Sequence, residues 1–280
     1  MLELRQDAPL DPASVAIVGA VAAAATAAGT SAVLVGATAR DIVLGHVHGI
    51  PLRRATADLD FAIAIPGWDA FERVVKHLAA DRRFRVSGEL VHRLYFQHAS
   101  ITYAIPVDIV PFGDGVGGIK FRWPGDPDVE MNVTGYVEAA NAALEVSIAG
   151  ANIRVLSAAG LALLKVFAWK DRHAQTRKDA SDLLVLIRHY PAIGNEPRMY
   201  DEARLMDEVD FNYERAGARL LGRDVRDICE EGTRQALVAL LTAQEVENMA
   251  AAAYRENGND GLTFDTVAEL FRDFTVGVAG

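Results

Sequence analysis

The chain has 280 residues, 51% of them apolar and 24% charged, which is too apolar for a disordered chain and long enough for one large domain or two modest ones. Its 28 Lys+Arg stand against 38 Asp+Glu, a formal charge of −10. That balance excludes a polycation of the histone kind but leaves room for a local basic track along a nucleic acid. The single cysteine, Cys229, rules out an internal disulfide and a Cys-based zinc site and fits a reducing cytoplasm.

No charge stands between Asp11 and Arg40, a stretch longer than the roughly 20 residues of a spanning helix. It is rich in alanine, it is broken by Gly29-Thr30-Ser31, and its flank is acidic where a signal peptide has a basic one. These features predict a soluble helix and a buried strand, with no membrane contact.

Asp11-Pro12 is a helix start, a capping carboxylate followed by proline at the first helical position, and the helix should run to about Ala28. A strand is expected over 32–35, and Gly36-Ala37-Thr38-Ala39-Arg40 then opens a second helix to about His48. Residues 49–57 read as a loop. Residues 58–65 alternate as a strand, and Pro66-Gly67 turns the chain into a helix over 68–81 (Phe71, Val74, Val75, Leu78). Strand-like runs come next at 83–87, Arg93 to His98, and Ile101 to Phe112. Residues 113–128 read as a loop or weak hairpin, and 144–148 and 152–156 as strands. After Ser157 the texture turns helical: 160–171, 176–190 and most of the chain beyond Arg198. The expected fold class is therefore α+β, an α/β domain over 1–156 followed by a helical domain over 157–280.

The sharpest chemical feature is Asp58-Leu59-Asp60. Residues i and i+2 of a strand share a face, so the two carboxylates project together while Leu59, Phe61 and Ile63 take the core face. Adjacent carboxylates repel, and a hard divalent cation such as Mg²⁺ or Mn²⁺ relieves that repulsion while leaving positions for phosphate oxygens. Asp108 is the one charge between Arg93 and Asp114. A carboxylate in such an apolar run is paired, metal-bound or at an open rim. If its strand lies beside 58–65, Asp58, Asp60 and Asp108 converge as a site for two-metal phosphoryl or nucleotidyl transfer. The competing reading is an edge strand with a solvated Asp, which Pro106 and Pro111 support.

Strand, glycine, helix N-terminus at Val35-Gly36 makes a phosphate cradle or a plain turn. Lys165 lies in the apolar run Leu161 to Trp169 and must either snorkel to water or meet an anion. Asp179 caps a helix or faces the site, and Asp182 lies one turn on. Arg177 and Lys178 touch phosphates or start a solvated helix. His46 and His48 lack a third metal ligand, His92-Arg93 either lines the cleft or starts a strand, and Trp169 is core or a base-stacking platform. Arg215, Arg219, Arg223 and Arg226 form a basic stripe that tracks a nucleic-acid backbone or is salt-bridged by neighbouring acids.

In order and combination, Gly36-Ala37-Thr38-Ala39-Arg40, Arg54-Ala55-Thr56-Ala57-Asp58-Leu59-Asp60-Phe61, Leu164-Lys165 and Arg177-Lys178-Asp179-Ala180-Ser181-Asp182 resemble the DNA polymerase β-like nucleotidyltransferase superfamily, and within it the AbiEii/AbiGii toxin family. The resemblance covers roughly residues 30–190. It implies a nucleotidyltransferase-type mixed sheet with flanking helices, and transfer of a nucleoside monophosphate from an NTP to an acceptor. Asp58, Asp60 and Asp108 would be metal ligands and catalytic residues, with Lys165 and Asp182 also catalytic. Gly36, Ala37, Thr38, Arg40, Thr56, Lys165, Lys178 and Asp179 would contact the nucleotide. It further implies a tRNA 3′ end or other RNA as acceptor and a cognate antitoxin as partner. Two alternatives stay open: a non-catalytic nucleotide- or partner-binding module, and a metal-dependent phosphohydrolase using the same carboxylates.

Overall fold

The computed structural model describes residues 1–51, 58–99, 101–124, 126–202, 204–257 and 261–280. The chain divides into two compact units, Met1–Leu156 and Ser157–Gly280. No helix among the described residues is long and apolar enough to cross a membrane.

The first unit is built on a mixed sheet. Its ten strands among the described residues are β1 (Leu2–Glu3), β2 (Ala32–Val35), β3 (Leu59–Ala64), β4 (Phe84–Val86), β5 (Arg93–Phe96), β6 (Ile105–Phe112), β7 (Lys120–Trp123), β8 (Asp126–Asn132), β9 (Leu144–Ile148) and β10 (Ala151–Val155). Eight of them form one sheet in the order β1-β9-β10-β2-β3-β6-β5-β4, and β7 and β8 form a separate hairpin. The pairs β1–β9, β10–β2 and β3–β6 are parallel, and the others in the large sheet are antiparallel.

The helices of this unit are α1 (Pro12–Ala27), α2 (Gly36–Asp41), α3 (Trp68–Ala80) and α4 (Tyr136–Asn141). Asp11 caps α1, its Oδ1 accepting from the backbone N–H groups of Ala13 and Ser14 at 3.0 Å each, which satisfies two of the four N–H groups a helix start leaves open. The second predicted helix is two pieces. After α2 the chain widens into a π-helical turn over Ile42–Val47.

The strand at 58–65 behaves as its alternation demands. Leu59, Phe61 and Ile63 are buried, and Asp60 is half-exposed. Burying side chains such as Phe61 and Ile63 contributes about 1.5–3 kcal/mol each. β6 is not the edge strand its prolines suggested. It runs between β3 and β5, but β5 accompanies it only from Ile105 to Asp108. Pro111 therefore sits where β6 has β3 alone beside it, and its missing N–H breaks no second ladder. The stretch read as a loop or weak hairpin holds the β7–β8 hairpin. Its aromatic residues Phe121 and Trp123 meet Trp68 and Phe71 of α3 edge-on, with ring centroids 5.3–5.5 Å apart for three of these pairs, a favoured aromatic geometry. Strand β1 and helix α4 had no counterpart in the sequence reading.

The second unit is helical: α5 (Ala158–Arg172), α6 (Lys178–His189), α7 (Glu196–Asp201), α8 (Tyr213–Ile228), α9 (Glu231–Leu240), α10 (Ala243–Asn257) and α11 (Phe264–Ala279). α8 and α11 cross at glycines. A Cβ on Gly222 would stand 2.1 Å from the carbonyl oxygen of Phe274, and one on Gly277 would stand 2.1 Å from that of Arg219. Beside this crossing, Asp273 is 3% exposed. Arg215 donates to it at 2.6 Å and Arg219 also hydrogen-bonds it. Arg223 pairs with Glu202 and Glu208 at 3.2 and 3.0 Å, and Arg226 with Asp227 at 2.9 Å. The predicted basic stripe is thus a salt-bridged face. Trp169 is core: it is 6% exposed, its Nε1 donates to Glu245 at 3.2 Å, and its ring stacks on His173.

Candidate active site

Strand register assembles the predicted carboxylates of the first unit. Val35 pairs with Asp60, Asp60 with Asp108, and Asp108 with Arg93. Side chains of register partners share a face of the sheet. Val35, Asp60, Asp108 and Arg93 therefore form one row across β2, β3, β6 and β5. Asp58 lies two residues back from Asp60, immediately before β3.

The turn after β2 closes on this row. Gly36 has φ +69°, and a Cβ there would lie 2.1 Å from Oδ2 of Asp60. The carboxylate of Asp60 therefore rests directly against the backbone that opens α2. Thr38 is buried, and its hydroxyl donates to the backbone carbonyl of Asp58 at 2.8 Å. That bond ties α2 to the start of β3, so the Thr38 hydroxyl proton is engaged in holding Asp58 rather than turned outward to a phosphate. Gly36 and Ala37 stay partly exposed. Arg40, expected at a nucleotide, is 5% exposed and donates to Asp41 at 2.9 and 2.6 Å, as a buried guanidinium requires. Thr56 and Arg54 lie outside the described residues. His46 is held through Nδ1, which meets the carbonyl of Ala8 at 2.7 Å.

Asp108 is where structure and sequence reading part. It does lie beside Asp60, but Arg93 grips it from the other side. Nε of Arg93 donates to Oδ1 and Nη2 to Oδ2, both at 2.6 Å, the two-pronged geometry of a strong charge-assisted pair. The bond to Asp108 raises the pKa of Arg93 above its already high ordinary value. Among the described residues, no three His, Cys, Asp or Glu side chains are grouped as a metal site. Asp58 and Asp60 offer hard oxygen donors of the kind a divalent cation takes. Asp108, beside them in the row, already has the Arg93 guanidinium as its counter-charge. Of the three expected carboxylates, Asp60 and Asp108 are register partners, and Asp108 is ion-paired with Arg93.

In the second unit Lys165 meets anions of its own chain. Its Nζ donates to Asp179 at 3.0 Å and to Asp182 at 2.6 Å. Asp179, only 1% exposed, also accepts from Arg172 at 2.7 and 2.8 Å. Asp179 is therefore not a helix cap. The residue before α6 is Arg177, and Thr176 accepts from the N–H of Lys178 at 3.3 Å instead. Lys178 itself is exposed. Burial alone would raise the pKa of Asp179, but hydrogen bonds from Arg172 and the charge of Lys165 outweigh it and hold the carboxyl below its ordinary value of 3.8. Such a group stabilises the fold above its unfolded pKa, and that stability is lost as pH falls through the folded one. Arg172→Met removes part of the depression, so the midpoint of acid unfolding followed by circular dichroism should move to higher pH. An unchanged midpoint would show that Lys165 holds Asp179 by itself.

Solved structures similar to the chain include an antigenic nucleotidyltransferase-like protein from Paracoccidioides brasiliensis, with 13% identity, 72% of this chain and 94% of that one covered, and a TM-score of 0.44. Another is ANT(2")-Ia in complex with adenylyl-2"-tobramycin, with 14% identity, 70% and 95% covered, and a TM-score of 0.38. A third is the Thermotoga maritima CCA-adding enzyme complexed with tRNA, with 11% identity, 96% and 82% covered, and a TM-score of 0.26. No curated protein matches the chain in sequence. Residues 20–269 match the family described as nucleotidyl transferase AbiEii toxin of type IV toxin–antitoxin systems, a span that takes in the carboxylate row, the glycine turn and the Lys165 cluster, and the chain belongs to that nucleotidyltransferase family.

Proposed function

We propose that the chain moves a nucleoside monophosphate from an NTP to an RNA acceptor such as a tRNA 3′ end, with Mg²⁺ or Mn²⁺, and acts in the cytoplasm as the toxin of a pair with a cognate antitoxin. Membership of the family supports the toxin role, and the sequence resemblance suggests the RNA acceptor. The observation that carries the catalytic reading is the packing of the Asp60 carboxylate against the backbone of Gly36. It sets an acid pair directly beside a turn whose open N–H groups suit phosphate.

A divalent cation held by Asp58 and Asp60 would polarise the α-phosphate and draw the acceptor oxygen towards it. The chain's own residues do the positioning. Thr38 fixes the backbone of Asp58, and Gly36 with the β2–β3 register fixes Asp60. Asp108 stands next to Asp60 in the row and holds Arg93 with both oxygens.

The test is labelling of bulk RNA from each α-labelled NTP with Mg²⁺ or Mn²⁺ present. The wild-type chain should label RNA, and Asp60→Ala should not. Equal labelling by both would remove the catalytic reading. Release of NMP or phosphate without a labelled acceptor would mean a phosphohydrolase.

A further inference from the structure

We propose that Arg93 is a phosphate-binding residue of the transferase site and that Asp108 is its positioning residue, not a metal ligand. The proposal rests on the transferase reading for the identity of its ligand, an NTP, but on geometry for the residue. Arg93 stands two strands from Asp60 in the same row. A guanidinium has five N–H donors, of which the fork to Asp108 uses two. Tyr95 lies two residues on, on the same face of β5. The side chain keeps 24% exposure, whereas that of Asp108 keeps 12%. The carboxylate is thus the enclosed partner and the cation the one that reaches solvent.

This arrangement suits a polyphosphate. An NTP brings several negative charges next to Asp58 and Asp60, and these would repel without a fixed cation nearby. A planar guanidinium matches phosphate oxygens in pairs, and one already clamped by a carboxylate loses little freedom on binding. With Asp108 as a ligand instead, its oxygens would have to serve the ion and Arg93 at once, setting two cations against each other.

The experiment measures two affinities that need no turnover: ATP binding by calorimetry in EDTA, and Mn²⁺ binding by electron paramagnetic resonance. Arg93→Met should weaken ATP about 10- to 100-fold, the worth of a hydrogen bond to a charged group, and leave adenosine binding unchanged. Arg93→Met strands a buried carboxylate, so Arg93→Gln/Asp108→Asn serves as the second variant and should lose ATP to the same degree. Asp108→Asn should weaken ATP less than Arg93→Met and leave Mn²⁺ binding at the wild-type value, whereas Asp60→Asn should lower it. The proposal is overturned if Asp108→Asn loses Mn²⁺ as Asp60→Asn does, if both Arg93 variants bind ATP normally, or if the wild type binds none of the four NTPs in EDTA. If ATP binding depends on Arg93 but RNA is never labelled, Arg93 keeps its role and the transferase reading fails.

Discussion

Gly36→Ala should be as inactive in RNA labelling as Asp60→Ala, although it changes no ionisable group. Two costs meet at this position. At φ +69° an L-residue costs about 1–2 kcal/mol relative to its normal region. The new methyl would also stand 2.1 Å from Oδ2 and 2.9 Å from Cγ of Asp60, so the carboxylate must turn away or the turn must open. A displacement near 1 Å in a reacting constellation costs on the order of 100-fold in rate, and here either adjustment moves the Asp60 acid itself. The fold should lose about 1–3 kcal/mol, the usual penalty of overpacking, and remain folded. The decisive comparison is kcat for labelling against the thermal midpoint, with kcat collapsing and the midpoint moving by a few degrees. Wild-type kcat in Gly36→Ala would show that Asp60 can work from another rotamer, and the cradle would have to be redrawn.

The largest loss of stability is expected at the opposite end of the chain. Gly277→Ala places a methyl 2.1 Å from the carbonyl oxygen of Arg219 and 2.9 Å from both the amide nitrogen of Arg223 and the Cα of Gly222. All three are backbone atoms, so no side chain can rotate aside and the two helices must separate. Separation also lengthens the pairing of Arg215 and Arg219 with the buried Asp273. We expect a loss of about 3 kcal/mol or more, at the top of the range for overpacked cores. That is a large part of the roughly 5–15 kcal/mol by which a typical domain is stable. In an open helix the same change stabilises by about 0.5–1 kcal/mol, and Gly19→Ala in α1, where nothing lies within 4 Å of the new methyl, provides that contrast. Urea titrations of the two variants should therefore move in opposite directions. A Gly277→Ala midpoint at or above wild type would mean that α8 and α11 do not meet at their glycines.

Much of this architecture was legible because it depends on neighbours in sequence. Asp11-Pro12 announces α1, and the alternation of Leu59, Phe61 and Ile63 against Asp60 announces β3 and the face its acid takes. Strand β1 and helix α4, two and six residues long, are too short to show a period. The β7–β8 hairpin was only half seen because glycine, proline and acidic residues, all weak strand formers, crowd it. At the site, sequence identified which groups needed partners but not which partner each would find. Lys165 had to snorkel to water or meet an anion, and it meets Asp179 and Asp182. Asp108 had to be paired, metal-bound or at an open rim, and its partner, Arg93, is 15 positions away and reaches it only through the β5–β6 register. A signal was present in that Arg93 is the basic residue nearest Asp108 on its N-terminal side, yet distance along the chain says nothing about which strands become neighbours.

The distribution of the three tryptophans gives each half of the chain its own optical reporter. Trp68 and Trp123 sit within the aromatic cluster that docks the β7–β8 hairpin on α3, while Trp169 of α5 stacks on His173 just beyond the helix end. Emission from the first pair tracks the packing of the sheet unit, and emission from the third, beside an imidazole able to quench it, tracks the helical unit. Substituting Trp169 with Phe leaves the first unit as the sole tryptophan emitter, so the sequence carries the means to ask by fluorescence whether its two units melt together or apart.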